Sequence, residues 1–312
     1  MKLSVIIPVY QEPVETIIRA VNSVKNQFGY TPEDVEIILS VDLPGRKLSI
    51  PGARVLTSEE NGGPGVARQR ALDACCGEYV TFLDADDIFY NALAYQLFLK
   101  DIYTRHDVDI AKFPILEQDA QGCFHQLAPD STWCFSKIYR RAFLLKHGVR
   151  FRDGLRVHED SWFVRLAELH EPHVLCHGDM VYLWAYNPES TVRRDGGNYW
   201  QSCFAQYLDV VYDLIREKEK LMYDVKDDKR YQLAYAYANI SRMDEPYAQT
   251  CLQTLSRRIP SKEVQEALNG KEAFAVDVRA VEGQPNLPDR LPRMTFEMFL
   301  YRIKEVQHAG TA

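Results

Sequence analysis

Short β-branched runs alternate with amphipathic helical segments along the N-terminal third of the chain, and this alternation restricts the possible folds more than any other feature of the sequence. Strands are predicted at residues 3–7, 35–41, 54–56 and 79–83. Helices are predicted to begin at Pro13 and Pro64, since proline is favoured in the first turn of a helix. A β-α-β order requires helical crossovers between parallel strands, so we expect a parallel sheet covered by helices on both faces.

Polar side chains stand just beyond three of these strands: Tyr10, Asp42 and Asp84. Ligands of open parallel sheets bind at the carboxyl ends of the strands. The sequence therefore predicts that these side chains converge at the place where a nucleotide would lie.

The rest of the chain has two further regions. Residues 108–197 mix short strands with short helices, including a helix predicted over residues 140–147 that stops at Gly148. From residue 198 onward the pattern is helical. We therefore expect three regions, residues 1–107, 108–197 and 198–312.

Composition restricts the partners and the compartment. A net charge of −7 provides no global basic field, so a nucleic-acid partner is not expected. We find no signal-peptide pattern and no apolar run long enough to cross a bilayer. The seven cysteines are scattered, which favours free thiols in a reducing cytoplasm.

The segment Asp84-Ala85-Asp86-Asp87, here named the acidic turn, directly follows a predicted buried strand. Two carboxylates two residues apart on a turn can converge on one hard cation, Mg²⁺ or Mn²⁺, together with substrate phosphates. Such a cation would assist departure of a nucleoside diphosphate. The alternative is a helix N-cap, because aspartate favours that position and a helix is predicted from Asn91.

Two other segments have both a chemical and a structural interpretation. Residues 61–68 form a glycine-rich turn that enters a helix, where Arg68 could pair with a phosphate or with the acidic turn; the alternative is an ordinary loop. Glu159 and Asp160 open another helix. One of them could be a general base that deprotonates an acceptor hydroxyl, or both could simply favour the helix N-terminus.

These segments, taken in order, resemble family 2 glycosyltransferases of the GT-A fold. The resemblance covers about residues 1–195 and is carried by five blocks: residues 4–10, residues 61–63 with Ala67-Arg68, residues 77–87, residues 133–141 with Glu159-Asp160, and residues 182–186 with Ser190. It implies a mixed, mainly parallel α/β sheet flanked by helices, followed by a helical C-terminal segment. It also implies inverting transfer, of a hexose by our interpretation, from a nucleoside-diphosphate sugar, with UDP-sugars favoured.

The resemblance also implies roles for individual residues. The base and ribose would contact Pro8, Val9, Tyr10, Glu12 and Asp42. Asp86 would be the principal ligand of Mn²⁺ or Mg²⁺, with Asp84 serving the ribose, the metal and the diphosphate, and Asp160 would be the catalytic base. Gly63, Arg68 and Ala85 are assigned to the donor site as well, and Arg193 and Arg194 to a loop over the diphosphate. Residues 1–107 would then bind the nucleotide sugar and residues 108–197 the acceptor.

The sequence departs from the family pattern at two places. Residues 41–44 read Val-Asp-Leu-Pro where the family usually has two aspartates followed by Gly-Ser, so the identity of the base is open. Gln69 stands where an asparagine is usual. A sugar-phosphate nucleotidyltransferase is disfavoured because residues 8–12 lack its glycine-rich loop. A non-catalytic sugar-nucleotide-binding module is disfavoured by the intact Asp84, Asp86 and Asp160.

The acceptor is predicted to be a glycan, a lipid-linked glycan or a small molecule. Residues 296–304 form an aromatic, amphipathic helix. A place in the core or in a dimer interface is favoured over peripheral contact with the inner face of a membrane, because membrane-surface helices usually carry more lysine and arginine.

Overall fold

A computed structural model describes residues 2–104, 107–190, 193, 198–284 and 287–309. The chain forms two compact units, Met1–Ser190 and Thr191–Ala312. The strands of the first unit, in chain order, are β1 (Leu3–Val9), β2 (Val35–Val41), β3 (Arg54–Thr57), β4 (Tyr79–Phe82), β5 (Ile88–Phe89), β6 (Ile110–Lys112), β7 (Ile115–Gln118), β8 (Phe124–Leu127), β9 (Lys137–Arg140), β10 (Val174–Cys176) and β11 (Tyr182–Trp184). Its helices are α1 (Val14–Lys25), α2 (Pro64–Ala74), α3 (Ala94–Thr104), α4 (Arg141–His147) and α5 (Glu159–Glu168).

The main sheet has seven strands in the order β10-β6-β9-β4-β1-β2-β3. Only β9 runs antiparallel to its neighbours, so the predicted mixed, mainly parallel sheet flanked by helices is confirmed. Leu3 of β1 lies in register with Val35 of β2 and with Tyr79 of β4. Because these central strands start level, their carboxyl ends open at one edge of the sheet.

A second, four-stranded sheet has the order β5-β11-β7-β8 and was not predicted. Its first strand follows the acidic turn directly, and α3 begins only at Ala94. The alternative interpretation, in which the acidic turn caps a helix, is therefore wrong. The turn joins the main sheet to the small sheet.

An aromatic cluster holds α5 against the main sheet. Phe82 of β4 makes edge contacts with Phe151 and Phe163, at ring distances of 5.3 and 5.5 Å. Phe151 and Phe163 stack at 4.2 Å. Aromatic pairs of this kind are rigid and strongly apolar. The cluster therefore fixes the first turn of α5 beside the end of β4.

The second unit is helical in its described part, as predicted. Its helices are α6 (Tyr199–Lys220), α7 (Lys226–Ile240), α8 (Glu245–Arg258), α9 (Ser261–Asn269), α10 (Lys271–Glu282) and α11 (Phe296–Ala309). The apolar face of α11 is buried through Phe299, Leu300 and Ile303 in the core of this unit. The prediction that this helix belongs to a core is confirmed.

None of the helices in the described ranges is both long and apolar enough to cross a membrane. All seven cysteines are free thiols, as predicted.

Candidate active site

Asp87 anchors the acidic turn. Its buried carboxylate accepts hydrogen bonds from the Tyr182 hydroxyl at 2.6 Å and from the Ala185 N–H at 2.9 Å. Burial, together with the negative charges of Asp86 and Asp84, raises the pKa of Asp87 well above its usual value. A carboxyl group this deep and this well bonded has no room for a ligand, so Asp87 fixes the shape of the turn.

Asp86 is only half-buried. Its Oδ2 accepts a hydrogen bond from the Asn187 amide at 2.8 Å, and its backbone oxygen accepts one from Arg19 at 2.6 Å. Burial raises the pKa of Asp86, and the negative charge of Asp84 raises it further. The pKa of Glu12 is also raised, by burial and by the charge of Asp86. Burial and neighbouring carboxylates therefore both disfavour ionisation of Asp86 and Glu12, an effect that a bound cation would offset.

The carboxylates present fit a hard divalent cation held partly by its substrate. No group of three or more histidine, cysteine, aspartate or glutamate side chains in the described ranges could cage a metal alone. Mg²⁺ and Mn²⁺ sites commonly use one or two carboxylates and complete the coordination with phosphates and water. Asp86 is the better candidate ligand, since Asp84 already has a strong ionic partner.

That partner is Arg68, which joins three carboxylates. Its guanidinium group donates to Asp84 at 2.6 Å, to Glu159 at 2.9 Å and to Asp160 at 2.9 Å. The arginine is 4% exposed. Of the two partners considered for Arg68 from the sequence, the structure provides the acidic turn, and both terminal nitrogens of the guanidinium group face carboxylates. Arg68 therefore brings the acidic turn and the start of α5 into one site.

Glu159 and Asp160 differ in their exposure. The Glu159 side chain is 9% exposed and that of Asp160 is 15% exposed. Burial raises the pKa of Glu159 to about 8, helped by the charge of Asp160. Burial also raises the pKa of Asp160, but Arg68 and the thiol and N–H of Cys134 oppose the rise. Two carboxylates with one arginine share protons as a pair, and Glu159 is the deeper member.

Asp42 braces the glycine-rich turn. Its carboxylate accepts from the N–H of Gly63 at 2.6 Å and from Arg70 at 2.9 Å. Gly63 has a φ of +92°, and a Cβ there would lie 3.2 Å from atoms of the Arg156 side chain. Glycine is needed at this position for both reasons. We predicted that Asp42 contacts the base. In the structure its carboxylate holds the glycine-rich turn.

The other residues that we predicted to bind the sugar donor differ in how exposed they are. Tyr10 is exposed and Pro8 is half-buried, whereas Val9 and Ala85 lie in the hydrophobic core, so only their backbone could face a nucleotide. Arg193 lies in a turn of the second unit, and Arg194 is outside the described residues.

Three arginines at this edge were missed by sequence reasoning. Arg46 donates to the backbone oxygens of Tyr10 and Glu12, and Arg156 donates to Asn61. Arg19 holds the acidic turn, as described above. Each contact spans more than 30 residues of sequence. Because these arginines lie outside the motifs, no local pattern signals their contacts.

Comparison with known proteins identifies the domain that this site belongs to. Residues 4–155 match the family model described as glycosyl transferase family 2. This part of the chain belongs to glycosyl transferase family 2. The family 2 region contains the acidic turn, the glycine-rich turn and Arg68, and it ends shortly before Glu159 and Asp160.

Curated relatives share part of the chain. TarS of Staphylococcus aureus, a poly(ribitol-phosphate) β-N-acetylglucosaminyltransferase, is 28% identical over an alignment of 215 positions that covers 61% of this chain and 36% of TarS. A poly(ribitol-phosphate) β-glucosyltransferase of Bacillus spizizenii is 25% identical over an alignment of 217 positions that covers 63% of this chain and 33% of that protein. The match thus spans about a third of the length of these relatives.

Solved structures share the GT-A fold. The crystal structure of residues 1–349 of S. aureus TarS with UDP-GlcNAc aligns with a TM-score of 0.63 at 19% identity, covering 99% of this chain and 92% of that one. A mannosyltransferase of Pyrobaculum calidifontis with GDP-Man and Mn²⁺ aligns with a TM-score of 0.51 at 13% identity, covering 100% and 88%. At these identities the likeness shows the fold alone.

Proposed function

We propose that this protein is an inverting, metal-assisted glycosyltransferase that moves a sugar from a UDP-sugar to a hydroxyl group of a glycan or polyol-phosphate acceptor. The observation that carries the proposal is the bridge made by Arg68 between Asp84 of the acidic turn and Asp160. It supports one site in which a diphosphate and an acceptor hydroxyl can meet. The family 2 region supports the reaction class.

In the proposed reaction Asp160 is the general base. It takes the proton of the acceptor hydroxyl while that oxygen forms a bond to the anomeric carbon of the donor sugar. The bond from this carbon to the diphosphate breaks on the opposite face, and the bonding electrons leave with the diphosphate. A single displacement of this kind inverts the anomeric centre.

The surroundings of Asp160 suit a base. Arg68 and the two donors of Cys134 favour its ionised form. Glu159 lies deeper, and its pKa of about 8 means that it retains a proton near neutral pH. Arg68 then balances Asp84 and Asp160 rather than three charges. We propose that Glu159 is a positioning residue that orients Arg68.

Asp86, with Asp84 beside it, would hold Mn²⁺ or Mg²⁺. A cation held there would neutralise the charge that develops on the leaving diphosphate. Asn187 and Arg19 keep Asp86 in place for this task through the hydrogen bonds described above. Residues 1–107 would serve the donor and residues 108–197 the acceptor.

The choice of donor and acceptor rests on the relatives. TarS has been crystallised with UDP-GlcNAc and with UDP, and its name gives poly(ribitol-phosphate) as its acceptor. The similarity favours a UDP-sugar over other nucleotide sugars. It also favours a phosphate-linked polyol or glycan as the acceptor.

A donor panel tests this function. The purified chain is heated with Mn²⁺ and each of several UDP-, GDP- and CDP-sugars, because a bound ligand raises the melting temperature by mass action. We expect a UDP-sugar to raise it and Asp86→Asn to reduce the Mn²⁺-dependent part of the rise. Asp73→Asn, which alters an exposed carboxylate on α2, is the matched control. No shift with any nucleotide sugar would contradict the proposal.

A further inference from the structure

Four aromatic side chains form a continuous column in the first unit, here named the aromatic column. Tyr182 stacks on Phe135 at 4.5 Å, and Phe135 stacks on Trp133 at 5.9 Å. Trp133 then meets Trp184 at 5.4 Å, with the ring planes 59° apart. Tyr182 and Phe135 are buried, whereas the two tryptophans at the outer end are half-buried.

The column lies beside both halves of the candidate active site. Its inner end is tied to the acidic turn, because the Tyr182 hydroxyl donates to Asp87 and accepts from the N–H of Asp84. At its outer end, Trp133 directly follows Thr132, whose backbone oxygen accepts a hydrogen bond from the hydroxyl of Ser161, the residue after Asp160, at 3.5 Å. The two tryptophans therefore belong to two different chain segments, one beside Asp160 and one beside the acidic turn.

Trp184 belongs to the second of these segments. The next residue, Ala185, donates its N–H to Asp87, and Asn187 donates to Asp86. Trp184 is thus close in sequence to Asn187, which contacts the candidate metal ligand Asp86. Trp133 is correspondingly next to Thr132, which contacts the residue that follows the candidate base.

The loop that presents Trp133 is held by two lysines. Lys137 is 1% exposed, and its ammonium group donates to the backbone oxygen of Trp133 at 2.6 Å. Lys112 donates to the backbone oxygen of Asp130 at 3.3 Å and forms an ion pair with Glu168. Burying an ammonium group is costly unless it is well bonded. Both of these lysines are bonded to the backbone of one short loop, which indicates that the position of the loop is fixed before any ligand binds.

We propose that Trp133 and Trp184 form a stacking platform for one sugar or polyol unit of the acceptor. This inference rests on the proposed function. Such a unit has an apolar C–H face bordered by hydroxyl groups, and an aromatic ring attracts C–H groups to its negative face. Rigid aromatic walls with a few fixed polar groups are typical of small-ligand sites. The platform takes the acceptor rather than the donor because Trp133 adjoins the base that receives the acceptor's proton.

The test compares transfer with donor hydrolysis in the intact chain. Trp133→Ala and Trp184→Ala are assayed with UDP-GlcNAc and Mn²⁺ in two arms, poly(ribitol-phosphate) and chito-oligosaccharide, which distinguish a polyol from a pyranose. Hydrolysis of UDP-GlcNAc without acceptor reports the donor site. Tyr90→Ala is the matched control, since Tyr90 is an aromatic residue of the same unit that is 53% exposed and lies outside the column.

We expect each tryptophan variant to raise the KM for the acceptor about tenfold, as the loss of an aromatic contact worth roughly 1.4 kcal/mol would do. Donor hydrolysis should stay within about twofold of wild type, and Tyr90→Ala should change neither quantity. An unchanged acceptor KM would overturn the platform. So would a parallel loss of hydrolysis and melting temperature, which would make the pair structural.

Two outcomes of the wild type separate the platform from the proposed function. Hydrolysis of the donor without transfer in either arm contradicts the platform while it supports the donor site. Absence of both hydrolysis and binding for every UDP-sugar of the donor panel contradicts the proposed use of a UDP-sugar itself, and with it the platform that rests on that function.

Discussion

Charged side chains are buried at six positions in the described part of the first unit, whereas the described part of the second unit buries Arg242 alone. The six are Asp42, Arg68, Asp87, Lys112, Lys137 and Glu159. The ion pairs of the second unit, such as those of Arg258 with Asp209 and Asp213, are more exposed. The core of that unit is formed by apolar side chains of its helices.

This difference separates a region organised for chemistry from a region organised for packing. Buried charges seldom increase stability over apolar side chains of the same size. A chain that places six of them around one edge of a sheet does so for another reason. Shifted pKa values and convergent carboxylates are typical of functional sites, so the contrast itself supports the location of the site.

The largest expected effect on stability comes from Arg68→Ala. This change leaves Asp84 and Asp160 without their shared cation and Glu159 without a hydrogen-bond donor, and breaking a buried ionic network typically costs about 3–5 kcal/mol. Arg258→Ala removes a comparable but more exposed pair of contacts in the second unit and should cost about 1 kcal/mol. Urea unfolding of both variants measures the two losses. Equal losses would remove the contrast between the units.

A smaller effect is expected from Glu159→Gln, and it depends on pH. The pKa of Glu159 is raised from 4.5 to about 8 in the folded protein. The unfolded chain therefore loses this proton first, and the wild type loses stability as pH rises from about 4.5 to about 8. The variant lacks this loss. Its stability relative to wild type should increase by about 1 kcal/mol or more between pH 5 and pH 8.5, since one pKa unit corresponds to about 1.4 kcal/mol.

Urea unfolding at the two pH values checks this expectation. A constant difference between Glu159→Gln and wild type across the range would show that Glu159 is ionised in the folded protein. Arg68 would then have to balance three charges, and the proposed division between Glu159 and Asp160 would be wrong.

The smallest effect is expected from Cys134→Ala. The thiol lowers the pKa of Asp160 by donating to its carboxylate. Without this donor the pKa of Asp160 should rise, so the acid limb of the pH–rate profile should move to higher pH by up to about one unit. Cys251→Ala, which removes a buried thiol in the second unit, should leave the profile unchanged. A shift of equal size in both variants would assign the effect to stability.

Those elements of the fold that depend on a local pattern of residues could be predicted from the sequence. The central strands and α2 were placed almost to the residue, and Gly148 ends α4 with a left-handed φ of 62° as glycine at this position usually does. The position of Asp42 and Asp84 at the same edge of the sheet followed from the parallel order alone.

What could not be predicted depends on contacts between distant residues. The two-residue strand β5 is too short to have a pattern, yet it decides that the acidic turn is not a helix cap. Lys112 and Lys137 appear in the sequence as ordinary polar residues of a strand, and only the fold shows that they hold the loop before Cys134. Arg68 could be assigned to a phosphate or to the acidic turn. The choice required the position of α5, which is set by packing around Phe82.

The most direct test of the central claim is the rate of UDP-sugar hydrolysis and transfer by Asp160→Asn. We expect the rate to fall about 10²- to 10⁴-fold, as removal of a general base typically causes. The rise in melting temperature with UDP-sugar and Mn²⁺ should persist, since the donor site is intact. Asp73→Asn should retain the wild-type rate. An Asp160→Asn protein that transfers sugar at the wild-type rate would contradict the assignment of the base and the account of the buried charges around Arg68.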